Sequence, residues 1–443
     1  MKKPLNADDV RMIVKNDGIE FIRLQFVDIF GAMKNVAITA EMLDLALANK
    51  ITFDGSSIEG FVRIEESDML LYPDASSFAV LPWFKEHRIA RMICDVYRPD
   101  GTPFIGDPRF ILRRAVNEAR EMGFEFFVGP ECEFFFFQKD ETGKPTTVTH
   151  DNAGYFDIGP LDNGEKARID IVATLQKMGF EIEAAHHESA PGQHEIDFKY
   201  SDALSAADNI VTFKFVVKTR AKENGLHATF MPKPVNGAAG NGMHCNMSLF
   251  KAGLNAFYDR DDPNGLSETA YYFIGGLMAH AKGMAAITNP LVNSYKRLVS
   301  GYEAPVYIAW SRSNRSPLIR IPSARGDATR IELRNPDPSC NPYLALAVML
   351  RAGLDGIKNR IRPDEQITEN IYKMTKEEIK NGGINKLPSD LGEALIELEG
   401  DELVVSTLDR HIFENYVKAK RIEWMRYRNT VHQWEIDEFL GSY

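Results

Sequence analysis

Two carboxylates stand two residues apart in GPECEFFFFQ, residues 129–138: Glu131 and Glu133, followed by four consecutive phenylalanines. A strand alternates its faces, so both glutamates share one face with their side chains roughly 7 Å apart. Anions that close on an apolar strand repel each other and lose hydration, so something must make them tolerable. Four further segments alternate in the same way. FEIEAAHHESAPGQHEIDFKY reads as a hairpin turning at Pro191-Gly192, the pair that a type II turn favours. Its first strand ends at Glu188, and its second puts Glu195 and Asp197 on one face and Ile196 and Phe198 on the other. In GNGMHCNMSLF, His244, Asn246 and Ser248 oppose Cys245, Met247 and Leu249. In TRIELRN, Arg330, Glu332 and Arg334 oppose Ile331 and Leu333.

One alternating strand is ordinarily a half-exposed sheet, whose outer face mixes Lys, Thr and Ser. These polar faces instead select Glu, His and Arg. A sheet that packs its apolar face on helices and curls its polar face inward would gather them in one pocket. Five glutamates and one histidine there point to divalent metal, and oxygen-rich ligation suits Mg²⁺ or Mn²⁺. Six ligands are too many for one catalytic ion with open positions. A pair of ions ~3.5–4 Å apart is the usual device for phosphoryl chemistry. Arg297, and Arg312, Arg315, Arg320 and Arg325 in SRSNRSPLIRIPSARG, add guanidinium forks suited to phosphate and carboxylate oxygens. There is no Walker A loop, and GAAGNG (237–242) is read as a tight turn. The combination suggests ATP held by metals and arginines on a sheet.

The elements that must position these residues fall into two units. Asn6 caps a helix over 6–15, and IRLQF alternates as a strand. A second helix is expected over 40–48, with strands near 78–82 and 88–96. YRPDGTPFIGDP (97–108) reads as a linker. Asp107 and Pro108 then start a helix that stops at Gly123, and the larger unit begins. Residues 402–427 read as helical.

The chain has 443 residues, enough for two or three domains, and no apolar run near the ~20 residues of a membrane span. Its net charge of −11, without a basic stripe, disfavours direct nucleic-acid binding. MKKPLNADDV lacks the apolar core of a signal peptide, and four scattered cysteines without a CxxC pair fit a reducing, cytoplasmic setting. Cys132 and Cys245 fall on apolar faces. His186 and His187 point opposite ways, and at least one of them is expected to be a hydrogen-bonded core residue.

With these residues in view, the chain resembles bacterial type I glutamine synthetases over nearly its whole length. The matching motifs are FDGSSIEGF (53–61), GPECEFF (129–135), HHESAPGQHEIDF (186–198), KPVNGAAGNGMHCNMS (233–248), NSYKRLVSGYEAP (293–305), NRSPLIRIP (314–322) and RIELRNPDPSCNPYLA (330–345). The resemblance implies an α+β chain: an N-terminal β-grasp domain, 1–103, and a C-terminal catalytic domain, 104–443, whose curved antiparallel sheet is flanked by helices. It implies joining of ammonia to L-glutamate with ATP through γ-glutamyl phosphate. It also implies a dodecamer of two stacked hexamers with active sites between subunits.

By the same resemblance, Glu133, Glu188 and Glu195 hold one Mg²⁺ or Mn²⁺, and Glu131, His244 and Glu332 hold the other. Glu183, Asn246 and Ser248 contact the nucleotide, with Arg315 and Arg320 near its phosphates. Gly240, Arg297 and Arg334 bind glutamate. Asp54, from a neighbouring subunit, takes a proton from ammonium, and Glu303 belongs to a flap that closes over the intermediate. Position 239 is Ala where many relatives have Asn. INKLP puts Lys386 at or beside the place of a modifiable Tyr, so the chain resembles the alpha subtype, controlled by glutamine feedback, with Arg63 as its feedback arginine. The alternatives are a ligase that joins glutamate to another amine, and an enzyme that also binds a transcription regulator.

Overall fold

A computed structural model describes residues 4–58, 60, 68–300, 304–312 and 314–443. Two sheets organise the chain. The smaller consists of β1 (Phe21–Val27), β2 (Met33–Thr39), β3 (Ile51–Asp54), β4 (Asp68–Val80) and β5 (Ile89–Tyr97), in the order β2-β1-β5-β4-β3. β1 and β5 pair in parallel at its centre, and its other pairs are antiparallel. The helix Ala7–Asn16 packs on it, capped by Asn6 and burying Val10 and Val14 as its spacing requires. The helix expected over 40–48 is a 3₁₀ turn, Ala40–Met42, followed by the short helix Leu43–Leu47.

The larger sheet contains twelve strands among the described residues. They are β6 (Glu125–Lys139), β7 (Pro145–Thr149), β8 (Ile182–His187), β9 (Gln193–Phe198), β10 (Ser201–Asp202), β11 (His227–Thr229), β12 (Met243–Lys251), β13 (Leu254–Asn255), β14 (Tyr307–Ser311), β15 (Pro317–Arg320), β16 (Ile331–Leu333) and β17 (Asn385–Lys386). The main path runs β17-β14-β15-β16-β12-β6-β9-β8, antiparallel except for the parallel β14–β15 pair. The turn between β8 and β9 forms as expected: Gln193 N–H donates to Ala190 O at 3.0 Å, and Gly192 takes φ 72°. Every second residue of β12 is buried, from Met243 to Leu249, while His244, Asn246 and Ser248 face the other way. Cys132, Phe134, Phe136, Cys245 and Met247 pack with the helices Ala203–Glu223 and Pro342–Asn359 in one core. Phe135 and Phe137 continue the glutamates' face but stack on each other in a small separate cluster, so the polar face ends at Glu133.

The stretch expected as a linker is instead a packed corner. Phe104 is fully buried in the smaller core, and Asp107 is buried where its carboxylate accepts the Val96 and Arg109 N–H groups. Arg109, in the first turn of the helix Pro108–Glu121, ties the two sheets together. Its guanidinium, 2% exposed, pairs with Asp74 of β4 at 2.7 Å, Asp95 of β5 at 2.8 Å and Asp208 of the helix Ala203–Glu223 at 2.8 Å. Tyr343 O–H adds a bond to Asp208 at 2.7 Å. The helix expected over 402–427 spans Glu402–Arg428, with a kink at Asp409 that pairs with Arg114.

Removing one partner of a buried ion pair typically costs ~3–5 kcal/mol, because the other charges stay buried. Arg109→Ala is therefore expected to lose stability in that range in urea unfolding, with Arg109→Lys intermediate because it keeps the charge without the fork. A loss below ~1 kcal/mol in Arg109→Ala would remove this network from the account of how the sheets are joined.

Candidate active site

The register of the larger sheet decides which side chains meet. His244 of β12 lies opposite Glu131 of β6, Asn246 opposite Glu332 of β16, and Glu332 opposite Arg320 of β15. On the other side of β6, Glu133 lies opposite Glu195 of β9, which lies opposite His186 of β8. The polar face thus crosses six strands without interruption, from Arg320 to His186.

It carries two ligand clusters, in each of which one ligand atom per residue lies within 4.8 Å of the others. The first is Glu131, His244 and Glu332. His244 Nδ1 lies 3.3 Å from Glu131 and 3.6 Å from Glu332. Asn246 Nδ2 donates to Glu131 at 2.8 Å, and Arg330 Nε donates to Asn246 at 3.0 Å. Glu332 is also held by Arg320 and by Arg334 Nε at 3.2 Å. Burial would raise the Glu131 carboxyl, but the bond and charge of His244, with Asn246 and Arg320, more than offset it and hold it at about 2.

The second cluster is His186, Glu188 and Glu195, with His186 Nε2 3.4 Å from Glu195 and Nδ1 3.7 Å from Glu188. Glu133 adjoins it, accepting from Gly242 N–H at 2.8 Å and Gln193 Nε2 at 2.9 Å. Burial first, and then the neighbouring carboxylates, push Glu133 far above the usual carboxylate range and Glu195 up to about 10. This half of the face holds more carboxyl groups than its own cations allow to ionise together, which is the arrangement a divalent cation fits. The donors are mainly carboxylates, as Mg²⁺ and Mn²⁺ prefer.

Beside the clusters lies a small recess lined by Glu133, Glu188, Gln193, Gly240, His244, Arg297 and Ala304, with Ala239 at its edge. Arg297 is buried there and donates to the backbone carbonyls of Arg334, Asn335 and Pro336. The backbone passes so close that a Cβ on Gly240 would lie 2.3 Å from Pro232 O, and one on Gly242 would lie 2.7 Å from Arg297 Nη2. Arg334 is buried and also donates to the Arg315 carbonyl, while Arg315 itself is exposed. Ser248 follows Asn246 along the same face, and Glu183 stands exposed at the start of β8. Asp54 is on the smaller sheet: it ends β3, is exposed, and accepts the Ser56 N–H at 2.8 Å. No contact among the described residues joins it to the clusters. Glu303 and Arg63 lie outside the described residues.

Two site residues escaped the sequence reading. His187 is the buried core histidine expected, bonded to Asp151, whereas His186 faces the carboxylates. Gln193 shares a strand face with Glu195, and the same period-two count that found Glu195 reaches it. Its amide is fully occupied by Glu133, Gly240 O and Asn241.

Residues 18–99 match the family model of the glutamine synthetase β-grasp domain, and residues 105–439 match that of the glutamine synthetase catalytic domain. The chain is 59% identical over 437 residues to a glutamine synthetase of Clostridium saccharobutylicum, covering 98% of this chain and 99% of that one. It is 56% identical over 440 residues to that of Thermus thermophilus, at 98% and 99% coverage. A solved structure of a GmaS/ADP complex superposes with a TM-score of 0.89 at 35% identity, covering 98% of this chain and 99% of that one. The fold and site are those of a two-domain enzyme with a β-grasp and a catalytic sheet. The chain belongs to the glutamine synthetase family.

The crowded carboxylates set up a test of opposite signs. In chelator-treated protein, Glu195→Gln removes the cost of holding a buried, crowded carboxyl un-ionised, and its melting temperature is expected to equal or exceed that of the wild type. Mg²⁺ or Mn²⁺ at 100 times its dissociation constant should then stabilise the wild type by ~2.7 kcal/mol and the variant by much less. Equal gains in both proteins would take Glu195 out of the cation site.

Proposed function

We infer that the chain forms L-glutamine from L-glutamate and ammonia at the expense of ATP, and that it is of the bacterial type I alpha subtype. The observation that carries the reading is the pair of Glu/His clusters on one sheet face beside the Arg297 recess. A carboxylate does not exchange hydroxide for an amine directly, so it must first be activated as an acyl phosphate. Two divalent cations, Mg²⁺ or Mn²⁺, would supply charge neutralisation at the phosphates, held by Glu131, His244 and Glu332 and by Glu133, Glu188 and Glu195 with His186.

The chain's own residues do the rest. Glu183, Asn246 and Ser248 line the path proposed for the nucleotide. Arg315 and Arg320 stand where negative charge develops on the transferred phosphoryl group. Gly240, Arg297 and Arg334 receive glutamate, and the tight backbone at Gly240 fixes how closely it approaches. Asp54 of a neighbouring subunit takes the proton that ammonium must lose. Glu303 closes the site and keeps water from the acyl phosphate. This division of work assumes units of 1–103 and 104–443 and a homo-oligomer, a dodecamer by the resemblance, in a cytoplasmic setting.

The direct assay is phosphate release with glutamate, ATP, Mg²⁺ and ammonium. Turnover is expected with ammonium and not with bulkier amines. Preference for a larger amine would move the chain to the γ-glutamyl-amine ligases. Shared sites predict complementation: Asp54→Ala and Glu332→Ala are each inactive alone, and oligomers mixed from both regain partial activity. No recovery in verified mixed oligomers would place all these residues in one chain.

Control is proposed to be reversible, because INKLP offers no hydroxyl for modification at Lys386. Product glutamine shares the glutamate recess, and Arg63 is the proposed sensor. Arg63→Ala should keep most turnover while raising the glutamine concentration needed for half inhibition at fixed glutamate. Superimposed inhibition curves would remove Arg63 from regulation. A transcription regulator that binds the feedback-inhibited form is a further proposed partner.

A further inference from the structure

Behind the carboxylate face, a second group of ligand-type side chains is closed off from solvent. One ligand atom from each of His150, Asp151, Asp162 and His194 lies within 4.8 Å of the other three. His194 Nε2 is buried without a hydrogen-bond partner, while His150 Nε2 and Asp151 Oδ2 meet at 2.8 Å and Asp162 Oδ2 meets Arg168 Nη2 at 2.7 Å as ion-pair contacts. His194 is 0% exposed, the Asp151 and Asp162 side chains are 0% exposed, and that of His150 is 5%.

In every one of these residues the other polar atom is already engaged. His150 Nδ1 bonds the Phe136 carbonyl at 3.3 Å. Asp151 Oδ1 accepts Gly192 N–H at 2.9 Å and lies 3.2 Å from His187 Nε2. Asp162 Oδ1 accepts Gly164 N–H at 2.9 Å. His194 Nδ1 accepts from Arg168 Nη1 at 2.9 Å. With Nδ1 on the Phe136 carbonyl, His150 turns Nε2 toward Asp151 Oδ2 at 2.8 Å, a contact that either a proton or a cation can bridge. Gly164 keeps the space clear, since a Cβ there would lie 2.6 Å from His150 Nε2 and from His194 Nε2.

We propose that His150, Asp151, Asp162 and His194 form a closed N₂O₂ site for a structural divalent transition cation, Zn²⁺ by chemistry, separate from the two clusters on the catalytic face. Four protein ligands with two imidazoles suit Zn²⁺, whereas Mg²⁺ prefers six oxygens and keeps several waters. A ligating histidine typically anchors its other ring nitrogen on a carbonyl, as His150 does. Bonds of about 2.0–2.1 Å would draw the four atoms inward and part His150 from Asp151.

Arg168 is the competitor. Its bond to Nδ1 keeps the proton of neutral His194 on Nε2. Cation binding moves that proton to Nδ1, and Arg168 lets go of the ring while keeping Asp162, which its Nη2 meets at 2.7 Å. The site would fix residues 150–151 and 162, the two ends of one surface segment, to β9. Within that segment Phe156 N–H donates to His187 O at 3.1 Å, and its ring lies 4.7 Å from that of His186.

The test is metal content and spectrum, independent of turnover. Purified full-length protein is stripped, loaded with Zn²⁺ or Co²⁺, and gel-filtered in excess Mg²⁺. About one transition ion per chain should remain, and the Co²⁺ form should show the intense visible absorption of a tetrahedral site. His150→Gln and Asp162→Asn should lower Co²⁺ affinity at least tenfold. His244→Gln and His186→Gln should leave the band in place. Absence of a retained ion and of the band in the wild type would overturn the proposal, even if the variants failed to fold. It would fall equally if the band vanished in His244→Gln or His186→Gln and survived in His150→Gln. In either case the cluster is a hydrogen-bonded core with a proton where the cation was placed.

Discussion

The register between β6 and β9 sets Glu133 directly opposite Glu195, and the rest of the site depends on that pairing. Like charges directly opposite on a sheet destabilise it. A one-residue slip would relieve the repulsion, but it would also turn Cys132, Phe134 and Ile196 out of the core, where all three are fully buried. The apolar underside therefore fixes the register, and the electrostatics of the upper face must follow. The carboxylates are not gathered by attraction to one another. They are held together by what lies beneath them.

The two halves of that face are balanced differently. Around Glu131 and Glu332 stand His244, Asn246, Arg320, Arg330 and Arg334, so much of the charge is answered within the protein. Around Glu133, Glu188 and Glu195 the nearest compensation is His186 and the buried Arg297, whose own guanidinium burial disfavours. The second half is the stronger claimant on a cation, and the first is already organised without one. Joining the sheets through Arg109 carries the same logic outside the site: Arg109 and Asp208 are buried, Asp74 and Asp95 partly so, and the charges are tolerable only as a set.

What the sequence disclosed follows from contrast. β6, β9, β12 and β16 alternate sharply because one face is fully buried and the other carries only functional side chains, so counting by two located Glu131, Glu133, Glu195, His244 and Glu332. β2 was missed because MKNVAIT lies at a sheet edge and buries only Ile38, leaving little contrast to count. β3 is four residues long, too short to show a period. His186 was obscured by its neighbour, since adjacent histidines on a strand give no sign of which one faces the core. Phe104 shows that a Pro- and Gly-rich stretch predicts a turn without predicting exposure. The group around His150 draws on β9 and two positions flanking an irregular segment, and no periodicity connects those.

β9 carries ligand-type side chains on both of its faces. Glu195 points to the catalytic face and His194, its neighbour, to the closed group behind. A strand whose side chains are engaged on both faces is constrained from both, and its freedom to shift along β6 is small. Crowded carboxylates need that rigidity most, because a site that relaxed its repulsion by moving apart would lose the spacing that lets one cation serve several of them. Tyr155 and Phe156, exposed on the segment between Asp151 and Asp162, stack on each other and meet the His186 ring edge-on, so the same anchoring reaches the front of the site. Holding the strand from behind is thus a means of keeping charges close that would otherwise separate.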